Sequence, residues 1–118
     1  IIGDLEDKVA IMLDDMIDTA GTVVEGAKAI KERGAREIHV AAAHGVLSGP
    51  AHERLADPAI KSLVLTDTIP IPPEKRMDKM HVLSVAPLLA ETIDHIHRDE
   101  SVSQILTTWH NSHGPGSR

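Results

Sequence analysis

Cysteine is absent from the 118 residues, and with it go disulfides, thiolate metal sites and thiol nucleophiles. Phenylalanine and tyrosine are absent too, leaving Trp109 as the one aromatic side chain. A lone aromatic makes no base-stacking platform, so a core must come from Ile, Leu, Val, Ala and Met. No run of about 18 apolar residues occurs, and no cationic leader precedes an apolar segment, so no membrane partner is expected. Basic excess is missing as well. Twelve Lys and Arg against eighteen Asp and Glu leave a net charge of -6, the wrong sign for a general phosphate-backbone binder, so no nucleic-acid partner is expected. What remains, 42% apolar and 25% charged residues, is the composition of one folded domain, and the cysteine-free chain suits a cytoplasmic setting. The chain starts at Ile1 rather than Met, which reads as a piece of something longer.

Along the chain, strand and helix patterns alternate. Residues 9–13 (VAIML) form a continuous apolar run closed by Asp14 and Asp15, a pattern suited to a strand buried between two layers. After the small polar stretch 18–22, Val23, Val24, Ala27 and Ile30 recur at helical spacing, with Lys28, Lys31 and Arg33 near the end and Gly34 as the stop. Residues 37–43 (EIHVAAA) predict a second strand, 48–57 a short helix with Pro50 in its first turn, and 62–65 (SLVL) a third strand. The proline-rich stretch 69–80 predicts an exposed loop, 80–85 a fourth strand, and 87–97 an amphipathic helix with Leu88, Leu89, Ile93 and Ile96 on one side. Residues 1–4 (IIGD) resemble the last part of a strand whose beginning is absent, and 107–118 read as a disordered or vector-derived tail. The expected fold class is α/β, a mostly parallel sheet with right-handed crossovers flanked by helices and truncated at its N-terminal side.

In open α/β sheets ligands bind beyond the carboxyl ends of the strands. Asp14, Asp15, Asp18, Thr19, Ala20, Gly21 and Thr22 fall at such an end. A small-residue loop entering a helix presents N–H groups without intrahelical partners, and the helix dipole adds positive potential, so a phosphate is a favoured guest. Thr19 and Thr22 add hydroxyl donors, and Gly21 permits close approach. The upstream carboxylates accept hydrogen bonds from hydroxyls or hold a hydrated cation. A phosphate cradle beside hydroxyl acceptors describes a sugar phosphate. The same residues also read as two solvated turn aspartates and a plain helix cap.

The stretch 9–22, VAIMLDDMIDTAGT, resembles the phosphoribosyl-diphosphate loop of type I phosphoribosyltransferases and ribose-phosphate diphosphokinases. IIGD, HGVLSGPA at 44–51, TDTIP at 66–70 and ESVS at 100–103 are similar to the diphosphokinase family in particular, over about residues 1–106. The nearest likeness is to the C-terminal part of that enzyme. The resemblance implies a phosphoribosyltransferase-like fold and transfer of diphosphate from ATP to the C1 hydroxyl of ribose 5-phosphate, with Mg²⁺ as cofactor, for nucleotide biosynthesis. Residues 18–22 would then hold the 5-phosphate, with Ala20 where the family commonly has Gly. Asp14 and Asp15 would meet the ribose hydroxyls, directly or through the metal's water shell. Ser101, Val102 and Ser103 resemble a regulatory phosphate- or nucleotide-binding stretch, equally a polar helix edge.

The family's ATP-binding segments, its metal-binding His and Asp and a flexible basic loop come from sequence ahead of this point. ATP is therefore expected to bind through that part, and the chain alone is expected to be inactive. The resemblance also implies a homo-oligomer for the full-length enzyme. The eight histidines do not replace the missing groups: His44 follows a strand without an assigned role, His95 and His97 point to different helix faces, and His110 and His113 lie in the tail. Two other functions share the pattern, a phosphoribosyltransferase and a non-catalytic regulatory or assembly module of the same family.

Overall fold

A computed structural model describes residues 3–105. Strand β1 (Val9–Ile17) leads into helix α1 (Gly21–Glu32), strand β2 (Glu37–Gly45), the short helix α2 (Ala51–Leu55), strand β3 (Ser62–Thr66), a single 3₁₀ turn at Pro73–Lys75, strand β4 (Met80–Leu83) and helix α3 (Ala86–His97). The elements fall into two compact units, divided between Ser84 and Val85. The first carries the sheet and the candidate site.

All four strands are parallel, in the order β1-β2-β3-β4. Strands that step in one direction through right-handed crossovers lay their connections on one face. That face holds the core. Ile38, Val40, Ala42, Leu63 and Leu65 point into it and are buried with Val23, Val24 and Ala27 of α1 and Ala51 and Leu55 of α2. Val9, Ile11 and Leu13 alternate to the other side, where Leu13 is 79% exposed, and Leu83 is exposed as well. Within this unit β1 is therefore a half-buried strand, not one covered on both sides as its apolar run suggests. A continuous apolar run signals two-sided burial only when helices lie on both faces, and every crossover here uses one.

Helix α1 ends where the sequence places its stop. Gly34 has φ +88, and a Cβ there would collide with the Glu6 carboxylate. Its N–H reaches the Lys31 carbonyl at 3.0 Å, while the Lys31 ammonium covers the Ala35 and Arg36 carbonyls. A second tie is Asp57, just after α2. Its carboxylate accepts the Ala59 N–H at 2.9 Å and pairs with Lys28 of α1 at 3.0 Å. Lys79, ahead of β4, donates to the Asp57 carbonyl at 2.7 Å and the Ile60 carbonyl at 3.0 Å. The Ala59 hydrogen bond and the Lys28 charge hold the Asp57 carboxyl below the usual aspartate range. Burial draws the Lys79 ammonium down, opposed by the Asp57 charge.

Several boundaries differ from expectation. β1 continues through Asp14 and Asp15 to Ile17, because its pairing with β2 runs on to Ile17–Gly45 whatever the side-chain polarity. α2 is shorter than 48–57: Pro50, in the first turn by sequence, stands at the N-cap, and Ser48 and Gly49 form the approach. The 69–80 loop is not simply exposed, since Ile71 is buried in the core and Met77 packs against it. Gly3 and Asp4 are not in a strand, Ile1 and Ile2 lie outside the described residues, and so does the expected tail, with Trp109, His110 and His113. In the second unit α3 forms as expected, with Leu89, Ile93 and Ile96 exposed.

Two outcomes follow from this packing. Leu63→Ala opens the core and should cost about 2–5 kcal/mol, whereas Leu13→Ser on the open face should stay within about 0.5 kcal/mol, both read from urea unfolding. Asp57 adds an acid limb. Its folded pKa is depressed, so its stabilisation is complete above the unfolded aspartate value and is lost as pH falls through the folded one. Asp57→Asn should accordingly flatten the loss of stability at acidic pH, measured as the unfolding midpoint against pH.

Candidate functional site

A cleft of about 230 Å³ opens at the carboxyl end of β1, lined by Asp14, Met16, Ile17, Asp18, Thr19, Ala20, Gly21, Thr22 and Val23. The chain turns from strand to helix at Ala20, whose φ of 61 and ψ of 8 are left-handed. A Cβ in that region costs roughly 1–2 kcal/mol, so surrounding contacts must hold the turn. Ala20 is the N-cap of α1, and its carbonyl accepts the first helical hydrogen bond, from Val24 at 3.1 Å. No side chain among the described residues caps the helix. Among the described residues, no protein acceptor meets the N–H groups of Gly21, Thr22 and Val23. With no acidic side chain in the first turn, these donors and the dipole leave the cleft suited to an anion.

The two aspartates separate. Asp14 lies in register with Ala42, on the helix-bearing side of the sheet, and lines the cleft. Asp15 is the next residue on a strand and so points to the opposite face; its N–H donates to Asp14 Oδ1 at 2.9 Å. Asp14, Asp18, Thr19, Ala20, Gly21 and Thr22 are thus gathered around one cleft, and Asp15 is not among its lining. No group of three or more His, Asp or Glu side chains able to hold a metal is present among the described residues. The two carboxylates in the cleft lining, Asp14 and Asp18, are too few for an all-protein metal cage.

The loop after β2 lies beside this turn, because β1 and β2 are parallel neighbours and their carboxyl ends adjoin. The Val46 and Leu47 N–H groups both donate to the Ile17 carbonyl, at 3.0 and 3.1 Å, and the Ser48 N–H donates to the Asp18 carbonyl at 3.1 Å. The Ser48 hydroxyl donates to the Asp18 carboxylate. From α2, the Arg54 guanidinium donates to the Thr19 carbonyl at 3.0 Å. Sequence reasoning assigned neither residue a role, because no local pattern spans the 30 and 35 residues that separate them from Asp18 and Thr19. His44 Nδ1 lies 2.8 Å from Thr68 Oγ1, and the Thr66 and Thr68 hydroxyls both reach the Ala43 carbonyl, so HGVLSGPA and TDTIP meet.

Ser101, Val102 and Ser103 belong to the second unit and are described there alone. The Ser101 and Ser103 hydroxyls are 2.7 Å apart, and the Ser101 carbonyl lies 3.2 Å from His95 Nδ1. No helix of the described residues is long and apolar enough to cross a membrane.

Comparison with known proteins is consistent along the chain. The model of the phosphoribosyl synthetase-associated domain matches residues 1–107. A ribose-phosphate pyrophosphokinase from Caldanaerobacter subterraneus is 58% identical over 107 residues, covering 91% of this chain and 34% of that protein. One from Bifidobacterium longum is 47% identical over 116 residues, 98% of this chain and 34% of the relative. The crystal structure of phosphoribosylpyrophosphate synthetase from Mycobacterium smegmatis superposes with a TM-score of 0.80 at 44% identity, over 83% of this chain and 33% of that one. The chain therefore spans about a third of the length of the relatives it matches. The parallel sheet, the flanking helices and these likenesses together mean that the chain belongs to the phosphoribosyl synthetase-associated domain family and has a phosphoribosyltransferase-like fold.

Proposed function

We propose that this chain is the ribose 5-phosphate-binding part, C-terminal in the parent protein, of a ribose-phosphate diphosphokinase. The observation that carries the reading is the uncapped start of α1 opening into a cleft that Asp14 also lines. In this reading the 5-phosphate accepts hydrogen bonds from the Gly21, Thr22 and Val23 N–H groups and from the Thr19 and Thr22 hydroxyls. Asp14 accepts hydrogen bonds from ribose hydroxyls, which a carboxylate does well while repelling phosphate. The sugar is thereby anchored at both ends, leaving C1 presented to the second substrate.

In the reaction, the C1 oxygen bonds to the β-phosphorus of ATP as that phosphorus parts from the α-phosphate oxygen. AMP leaves with the α-phosphate oxygen, and the hydroxyl proton passes to solvent. Such transfers depend on holding two substrates in line and on neutralising charge around the transferred group. This chain's residues supply the acceptor's place; ATP is assigned to the remainder of the parent protein. The chain alone would then bind sugar phosphate without forming AMP. Mg²⁺, when bound, would neutralise phosphate charge, and Asp14 is the side chain here that would hold it through its water shell. A cytoplasmic, oligomeric parent enzyme fits the reading.

Calorimetric titration tests it. Ribose 5-phosphate should bind, and Thr22→Val should weaken it by about 1–3 kcal/mol, the scale of a charge-assisted hydrogen bond. Asp14→Asn should weaken ribose 5-phosphate without weakening inorganic phosphate, and Asp15→Asn should alter neither appreciably. Equal affinities in wild type, Thr22→Val and Asp14→Asn would overturn the assignment and leave the cleft a solvated turn.

A further inference from the structure

We infer that Ser48 and Arg54 are positioning residues that set the anion affinity of the 18–22 loop; the affinity part of this rests on the sugar-phosphate reading above. The loop contains its own competitor. Asp18 is an acidic side chain two residues before the N-cap, and it lines the cleft at the mouth of the uncapped helix. Left free, a carboxylate there is suited to accept the open N–H groups, as capping acids do, and to repel an incoming phosphate. The Ser48 hydroxyl instead donates to that carboxylate, and the Ser48 N–H donates to the Asp18 carbonyl at 3.1 Å, so one residue grips Asp18 by side chain and main chain. The Asp18 carboxylate takes that hydroxyl on Oδ1 and gives α1 no side-chain cap.

Arg54 acts on the next peptide. Its Nη1 donates to the Thr19 carbonyl at 3.0 Å, orienting the peptide that enters the left-handed Ala20. The same Nη1 lies 3.2 Å from where a Cβ on Gly21 would stand, so a side chain there would make the guanidinium give by a few tenths of an ångström. Gly21 has no positive φ, so its lack of a side chain serves the approach of Arg54, not a special backbone conformation. The guanidinium also adds positive charge beside the cleft.

The Ser48 brace rests on a strained support. Leu47 has φ 51 and is 3% exposed, and its N–H and that of Val46 converge on the Ile17 carbonyl at the end of β1. A left-handed leucine persists only where its surroundings over-determine it. Here the buried side chain and the paired N–H groups do so, and they hold Ser48 against Asp18.

The test uses wild type, Ser48→Ala, Ser48→Thr, Arg54→Ala and Arg54→Lys. Ribose 5-phosphate binding is measured by calorimetry, and the ligand-free Gly21 and Thr22 amides by ¹⁵N–¹H spectra. Ser48→Ala and Arg54→Ala should each raise Kd about tenfold and move both amide resonances, with the unfolding midpoint near that of wild type. Ser48→Thr, which keeps the hydroxyl, should restore affinity and shifts, and Arg54→Lys should restore part of each. Wild-type affinity and unmoved amides in both alanine variants would overturn the inference. If the wild-type protein binds no ribose 5-phosphate, the sugar-phosphate reading fails, and the ligand-free amides alone decide whether Ser48 and Arg54 hold the loop: moved amides support it and unmoved amides overturn it.

Discussion

The left-handed turn at Ala20 is the constraint on which the site depends. It lets the chain leave β1 and start α1 with three backbone donors facing outward and no side chain to satisfy them. A helix that caps itself is more stable alone and useless as an anion site, since cap and ligand compete for the same N–H groups. This chain gives up the cap. It also places a Cβ where glycine is more comfortable, a cost of roughly 1–2 kcal/mol that neighbouring contacts must offset.

Those contacts come from the sheet topology. Because β1 and β2 are parallel and adjacent, the loops after them leave from the same edge and run side by side. The β2 loop closes on the Ile17 and Asp18 carbonyls, and α2 reaches the Thr19 carbonyl with Arg54. The core beneath is one-sided: α1 and α2 are buried against one face, with Leu63 and Leu65 at its centre. The pair Lys28–Asp57 and the Lys79 contacts tie α1, the end of α2 and the approach to β4 together around it. The site is thus mounted on the packed side of the sheet.

Much of this was legible in the sequence, for identifiable reasons. The alternation of apolar runs with helical spacing marks the strands and the helices, and Gly34 marks the end of α1 because its positive φ favours glycine. The small-residue stretch at 18–22 marks where the strand passes into the helix and so the position of the cleft, while its residues read equally as a plain helix cap. Three features were not legible. The open face carrying Ile11 and Leu13 looks in sequence like a buried one, since periodicity does not say where crossovers pack. The unequal placement of Asp14 and Asp15 depends on strand register continuing past the apolar run. Arg54 and Ser48 meet the loop across 35 and 30 residues of sequence, a distance no local pattern spans.

Backbone amide spectra during titration with ribose 5-phosphate test most directly whether the start of α1 is an anion cradle. Binding through the uncapped turn predicts that the Gly21, Thr22 and Val23 amides show the largest shifts, moving downfield as their protons enter hydrogen bonds. Binding with those three amides unmoved, or with the largest shifts elsewhere, would contradict it.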